Sequence, residues 1–130
     1  MQHSKEMPHI EDWLKKADKD LQRVQARLKD GDTEDAAFHL QQGLEKYLKA
    51  YLLSKGWRLK KIHDLEMLLD EAAMYLPEIE RFRELCEEAT GYYLVERYPS
   101  ISETPDSKAV IDGLSGAKDM VKMLRGNLDN

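Results

Sequence analysis

The chain has 130 residues and a formal net charge of −5, with 35% charged and 42% hydrophobic residues. This length suits one domain with one core, and the acidic balance argues against a protein that coats DNA by bulk attraction. The 7 glycines and 4 prolines are too few for the turns of a sandwich or barrel, so we expect an all-α fold.

The location of the protein is indicated by its cysteine and its N-terminus. Cys86 is the only cysteine, which excludes an internal disulfide, and its place on the apolar face of a predicted helix predicts a core thiol. Residues 1–10 lack the apolar segment of a signal peptide, and no apolar run approaches the roughly 20 residues of a bilayer span. We therefore expect a cytoplasmic protein with no membrane partner.

Apolar periodicity predicts five helices. Residues 1–7 are interpreted as a flexible leader, and one helical domain is expected over residues 8–128. The first helix begins near Pro8 and ends at Asp30-Gly31-Asp32. Because the connections are short, we expect a five-helix, mostly antiparallel up-and-down bundle.

The second helix, from Glu34 to about Lys55, is predicted to be central. At 100° per residue its apolar side chains cover roughly 160°, an arc wider than a surface helix needs. Asp32 or Thr33 is expected to cap it, and Gly56 to close it at the C-cap. The apolar residues are Ala36, Ala37, Leu40, Leu44, Tyr47, Leu48, Tyr51 and Leu52.

The later helices have clear boundary signals. The third is expected to begin at His63 or Asp64 and to run to Pro77, which then opens the fourth. Pro99 ends the fourth helix, and Thr104-Pro105-Asp106 predicts the cap, first residue and first-turn acid of the last helix. One face of the fourth helix carries Phe82, Leu85, Cys86, Ala89, Tyr92 and Tyr93.

A polar stripe lies on the other side of the central helix. The i, i+3, i+4, i+7 spacing of one helix face is followed by Gln42, Glu45, Lys46 and Lys49. One interpretation is an i, i+4 ion pair of Glu45 with Lys49 on a solvated face. The other is a groove against the fourth helix, where Lys46, Lys49 and Arg97 bind an anionic phosphate.

The connector, residues 57–62, belongs to a basic part of the chain. Residues 46–61 hold six Lys or Arg and no acid, whereas residues 64–103 hold eleven acids and three arginines. A solvated face at a helix C-terminus explains this pattern, and a contact with phosphate, RNA or an acidic partner is the functional alternative.

His63 follows the connector and has two interpretations. It either caps the third helix or fills the junction beside Trp57, or it joins Lys60 and Lys61 in binding phosphate. Three tyrosines also have two interpretations, packing against the bundle or stacking on a base. We expect packing for all three: Tyr92, Tyr93 and Tyr98.

Common enzyme signatures are absent from the sequence. It has no phosphate-binding glycine loop, zinc-spaced Cys/His set, His-Glu-x-x-His helix or serine elbow. The four histidines, at positions 3, 9, 39 and 63, include no helical i, i+4 pair. We therefore expect no metal site and no cofactor.

Three motifs, in order, resemble those of the HEPN domain: Gln41-Gln42-Gly43-Leu44-Glu45-Lys46-Tyr47-Leu48-Lys49-Ala50, His63-Asp64-Leu65 and Arg97-Tyr98-Pro99. The resemblance covers about residues 8–126 and is to small stand-alone prokaryotic members, often encoded beside a minimal nucleotidyltransferase. It implies a homodimeric five-helix bundle with a polar cleft for nucleotides or RNA. In such pairs the helical member is described as a toxin and the transferase as its antitoxin.

The chain departs from the ribonuclease members of that superfamily. They carry an Arg followed, after four to six residues, by a His that acts with it in RNA cleavage, and no His follows Arg97 at that distance. Arg58 and His63 match the spacing, but they lie in the connector region before the third helix, and we interpret the match as coincidence. The phenol of Tyr98 is a poor base at neutral pH.

We therefore expect a nucleotide- or RNA-binding module rather than an enzyme. Lys46, Lys49 and Arg97 would bind phosphate, Glu45 would orient one of the cations, and the fourth and last helices would form the dimer interface. The alternatives are a toxin endoribonuclease with a non-standard site, using Arg97 and a partner such as Tyr98, and a ligand-free helical dimerisation adaptor.

Overall fold

The computed structural model describes residues 6–95, Tyr98 and residues 105–128, and every regular element in these residues is helical. Helix α1 spans Glu6–Lys29, α2 Thr33–Ser54 and α3 Leu65–Ala73. A 3-10 helix at Pro77–Phe82 leads into α4 at Arg83–Thr90 and α5 at Tyr92–Val95, and α6 spans Ser107–Arg125. With residues 77–95 counted as one segment, this is the predicted five-helix up-and-down bundle, and the all-α prediction is confirmed.

Helix α2 is the centre of the bundle, as its wide apolar arc predicts. It contacts α1, α3, α4, α5 and α6. The eight apolar residues predicted for its arc are all at most 2% exposed. Each large side chain among them stabilises the fold by about 1.5–3 kcal/mol through burial. The other helices are therefore positioned by their packing on α2.

A single tight turn ends α1 and starts α2. Gly31 has a φ of 79°, a conformation that favours glycine, and its N–H donates to the Leu28 carbonyl at 3.1 Å. The Asp32 N–H donates to the Arg27 carbonyl at 2.9 Å, which completes a Schellman turn. The Asp32 carboxylate then accepts the Asp35 N–H at 3.1 Å and so caps α2.

Gly43 brings α1 close to α2. A Cβ atom at this position would lie 2.7 Å from Cδ2 of Leu21 on α1, well inside van der Waals contact. Because glycine has no side chain, α1 can approach the surface of α2 at this level. The polar stripe of α2 is consequently covered by α1.

The end of α2 differs from the prediction by one residue. Lys55 is the C-cap, and Gly56, with a φ of 87°, lies one position after it. The Gly56 N–H donates to the Leu53 carbonyl at 3.1 Å. The Trp57 N–H donates to the Leu52 carbonyl at 3.0 Å, so this helix also ends in a Schellman turn.

The boundary between the third and fourth predicted helices is also corrected. Helix α3 ends at Ala73, and Leu76, the residue before Pro77, has a φ of −139°, as expected because proline disfavours helical backbone in the residue before it. The predicted fourth helix is divided into the 3-10 helix, α4 and α5, with a turn at Gly91. Its predicted face still packs inward, since four members are buried: Phe82, Cys86, Ala89 and Tyr92.

Two helix starts differ from the prediction as well. Asp106, rather than Thr104, caps α6, since its carboxylate accepts the Ala109 N–H at 2.8 Å. Thr104 and Pro99 lie outside the described residues. Helix α1 begins at Glu6, slightly before the predicted start. Among the residues that the structure describes, no helix combines the length and apolar character that crossing a bilayer requires.

Candidate functional site

Glu45 is a buried carboxylate at the centre of the polar stripe, only 5% exposed. Lys49, one turn later, donates to it at 2.9 Å, and the Gln41 amide, one turn earlier, at 3.0 Å. The ring of His63 places Nδ1 3.2 Å and 3.3 Å from its two oxygens. A carboxylate that is buried away from water needs hydrogen-bonding and cationic partners to offset the cost of its desolvation. Glu45 therefore holds the segment after the connector against α2.

Lys49 is buried beside Glu45, and its ammonium lies 5.7 Å from the centre of the Trp13 ring on α1. The predicted i, i+4 ion pair with Glu45 is present, but the prediction of a solvated face is wrong. The reason is the close approach of α1 at Gly43. Lys49 cannot contact a phosphate in solvent while it holds this position.

A second buried carboxylate, Asp20 of α1, organises the other end of the stripe. Nζ of Lys46 donates to it at 2.5 Å, and Nδ1 of His39 at 2.8 Å. Asp35 lies 3.5 Å from Nε2 of the same histidine. Lys46 is therefore paired with α1, and Lys46 and Lys49 belong to two different carboxylate clusters.

Two buried polar residues of these clusters were missed by the sequence analysis, although a signal for them existed. Asp20 lies three residues after Ala17 and four before Val24, which are both buried on α1. Gln41 follows Leu40 on the apolar side of α2 and is fully buried. A polar residue at a core-facing angle needs a buried partner, so it marks a polar cluster.

His63 does not cap α3, because the carboxylate of Asp64 accepts the Glu66 N–H at 2.9 Å. Instead its ring stacks on Tyr93 of α5, with centroids 4.5 Å apart and planes 14° from parallel. The His63 side chain is still 48% exposed. Since Glu45 accepts from Nδ1, the neutral ring has its lone pair on Nε2.

The connector beside His63 is basic, and its residues 58–61 are exposed. Lys60 lies 3.5 Å from Glu71 and over the Trp57 ring at 5.6 Å. Arg58 and Lys61 are exposed and form no ion pair with any residue that the structure describes. These two cations are therefore available to an anionic ligand.

The remaining predicted site residues lie beyond α5. Tyr98 is half exposed, and its N–H donates to the Leu94 carbonyl at 2.8 Å. Arg97 lies outside the described residues. The described residues bring Glu45, Lys49 and His63 together, whereas a phosphate site of Lys46, Lys49 and Arg97 stays a prediction.

A groove of about 390 Å³ separates α4 from α6, away from this site. Lys108 is the only cation among the described residues that line it, and it donates to Asp112 at 2.8 Å. The charge of the lining is predominantly negative, so the groove repels phosphate groups. Its acidic residues are Glu84, Glu88, Asp106 and Asp112.

Cys86 is fully buried, as predicted for a core thiol. Burial raises its pKa to about 12, so it is a protonated thiol at neutral pH and not a nucleophile. In the ranges 6–95 and 105–128, no group of three or more His, Cys, Asp or Glu residues is placed to hold a metal ion.

Comparison with known proteins identifies the family. The family model for the HEPN domain matches residues 10–127. The crystal structure of TT1696 from Thermus thermophilus has a TM-score of 0.76 and 26% identity, over 92% of this chain and 98% of that chain. ST0689, an archaeal HEPN homologue, has a TM-score of 0.71 and 24% identity, over 90% and 95%, and shares the fold. No curated protein gives a significant match. This chain belongs to the HEPN family.

Proposed function

We propose that this HEPN protein binds nucleotides or RNA at the connector end of α2. The proposal depends on one observation: the half-exposed His63 ring, fixed by Glu45, is stacked on Tyr93 beside an acid-free basic connector. Aromatic rings next to cations suit nucleotides, because bases stack on the rings while phosphates contact the cations.

The residues of this site have different roles in the proposal. A base stacks on His63, and a phosphate group contacts Arg58 and Lys61. Glu45 fixes the orientation of the ring through Nδ1, and Lys49 compensates the charge of Glu45. Glu45 and Lys49 are therefore positioning residues in this proposal, rather than direct phosphate ligands.

The other predicted residues supplement this site. Arg97 follows α5, the helix that carries Tyr93, by two residues, and in our proposal it supplies a further phosphate contact. Tyr98, half exposed after the same helix, supplies a further aromatic contact. Lys46 adds positive charge but stays paired with Asp20.

The proposal also includes the partners. The protein would be a cytoplasmic homodimer and the helical member of a toxin-antitoxin type pair with a minimal nucleotidyltransferase. The support for these partners is the resemblance to small stand-alone prokaryotic HEPN proteins.

The test is calorimetric titration and thermal shift with ATP, GTP and a short RNA. A ligand that prefers the folded state raises the melting temperature. We expect His63→Ala to weaken binding by about tenfold, because stacking on one aromatic side chain contributes at about that level. The double variant Arg58→Ala/Lys61→Ala, and Arg97→Ala, should weaken it as well.

The matched control is Lys118→Ala, which removes an exposed lysine from α6 and should keep wild-type affinity. Binding that His63→Ala leaves unchanged would place the ligand elsewhere. If no ligand binds or raises the melting temperature, nucleotide binding is overturned, and the result favours a partner-dependent or purely structural role, such as the ligand-free dimerisation adaptor.

One observation favours the second candidate, a toxin endoribonuclease with a non-standard active site. A carboxylate-held imidazole such as His63 is a common form of general base. RNA cleavage by the purified protein, and growth arrest that His63→Ala or Arg97→Ala relieves, would distinguish this enzyme from a binding module.

A further inference from the structure

Helix α3 and the turn after it expose an apolar surface, which we call the apolar strip: Met67, Met74 and Tyr75. Their exposed fractions are 51%, 82% and 50%. At about 100° per residue, Met67 and Met74 point only about 20° apart, so both lie along the outer side of the helix. Apolar side chains that are exposed together mark an interaction surface, and methionine adapts well to a partner.

The basic connector lies along one side of the apolar strip. Nζ of Lys60 is 3.5 Å from Glu71, which lies about 40° around the helix from Met67. Arg58 and Lys61, on either side of Lys60, are exposed and form no ion pair with any described residue. This flank therefore carries positive charge that the described residues do not neutralise.

Carboxylates lie along the opposite side of the apolar strip. Asp70 is about 60° and Glu66 about 100° around the helix from Met67, in the direction away from the connector. Asp70 pairs with Arg83, but Arg83 also pairs with Glu80, so two carboxylates share one cation. This flank is therefore acidic.

A surface with this order of charges is complementary to itself. In a two-fold dimer one surface faces a second copy of the same surface. Rotation of one copy by 180° about an axis along the apolar strip, parallel to α3, places its basic connector against the acidic flank of the second copy. The apolar side chains then meet at the centre. An apolar centre with a charged rim is the usual anatomy of a protein interface.

The surface formed by α4 and α6, which the sequence favours as the dimer interface, is less suited to facing itself. Among the described residues of these two helices, only Ile111 is an exposed large apolar residue. The groove between the helices is predominantly acidic, so a second copy of the same surface is repelled. Charge and apolar exposure therefore both favour the apolar strip.

We infer that this protein forms a two-fold homodimer through the apolar strip, with the connector of each copy against the acidic flank of the other. The inference rests on the homodimer of the proposed function and names its surface. Because the strip is small, we expect a dissociation constant in the micromolar range. Phosphate and the acidic flank compete for Arg58 and Lys61, so the dimer is measured without nucleotide.

The first test is analytical ultracentrifugation of the full chain over a range of concentrations. We expect a monomer–dimer equilibrium that Met67→Lys/Met74→Lys weakens by at least about tenfold, because the interface then buries charges without partners. The matched control is Ile111→Lys. Ile111 on α6 is 53% exposed, about as much as Met67, and its substitution should leave the equilibrium unchanged.

Charge reversal tests the pairing of the two flanks. Arg58→Glu/Lys61→Glu makes both flanks of one copy acidic, and Glu66→Lys/Asp70→Lys makes both basic. Each variant alone should be monomeric, because like charges then face each other. An equimolar mixture of the two should form a heterodimer, because opposite charges meet on both sides of the strip.

The outcomes separate this inference from the proposed function. A dimer that Met67→Lys/Met74→Lys leaves intact, or that Ile111→Lys dissociates, overturns the apolar strip as the interface while the homodimer stands. Charge variants that do not associate when mixed also overturn it. A protein that stays monomeric at every concentration overturns the inference and the homodimer, but not nucleotide binding at His63. Circular dichroism of each variant checks that the helical fold is retained.

Discussion

Two ion pairs with the same spacing lie in opposite surroundings in this protein. Between α1 and α2, the side chains of Lys49 and Glu45 are 4% and 6% exposed and 2.9 Å apart. On α6, beside the acidic groove, those of Lys108 and Asp112 are 83% and 64% exposed and 2.8 Å apart. The sequence spacing predicts both pairs but does not distinguish their surroundings.

The surroundings of each ion pair determine how much it contributes to the stability of the fold. Water competes for an exposed pair and salt screens it, so it contributes little to stability. A buried pair requires two desolvated charges, and their attraction offsets that cost only while both are present. We therefore expect that breaking the pair between α1 and α2 destabilises the protein, and that breaking the pair on α6 does not.

The largest expected effect is that of Lys49→Met. The substitution leaves Glu45 charged, buried and without its cation, so the free energy of unfolding should fall by about 3–5 kcal/mol. Urea unfolding followed by circular dichroism measures this change. The double variant Glu45→Gln/Lys49→Met removes both charges and should recover most of the loss. A double variant as unstable as the single one would show that side-chain shape, not charge, is responsible.

An intermediate effect is expected for Asp20→Asn. The amide preserves the shape of the side chain but removes the charge that holds Lys46 and His39, which are both partly exposed. The free energy of unfolding should fall by about 1–3 kcal/mol. Asp18→Asn is the matched control on the same helix, because Asp18 pairs with Arg125 at the surface. Equal losses in the two variants would contradict the difference between buried and exposed carboxylates.

The smallest effect is expected for Lys108→Ala on α6. Its partner Asp112 is solvated on its own, so the urea midpoint should match that of the wild type. A clear loss of stability in this variant would contradict the contrast between the buried and the exposed ion pair. Low salt is the sensitive condition, since screening there is weakest.

Much of the fold follows from local patterns in the sequence. The central position of α2 is set by its apolar arc, and the ends of α1 and α2 by Gly31 and Gly56, which adopt the positive φ that glycine favours. The split of the fourth helix near Gly91 was not predicted, because its apolar face continues in phase across the turn. The cap of α6 is Asp106 rather than the predicted Thr104, because the Asp106 carboxylate accepts the Ala109 N–H.

The candidate site was only partly predictable from the sequence. Periodicity placed Glu45, Lys46 and Lys49 on one side of α2, which the structure confirms. It could not show that α1 covers this side, because that depends on a contact between Gly43 and Leu21 of a different helix. The stacking of His63 on Tyr93 joins the segment before α3 to α5, and no local pattern reports such a contact.

The short turn between α1 and α2 also affects how the protein folds. Asp32 closes the Schellman turn of one helix and caps the next, so the link between the helices is only a few residues long. The entropy lost in closing so short a loop is small, and helix pairs that are adjacent in sequence form quickly. Helices α1 and α2 can thus assemble as a hairpin early in folding, which brings Asp20, Lys46 and His39 together before the more distant helices dock.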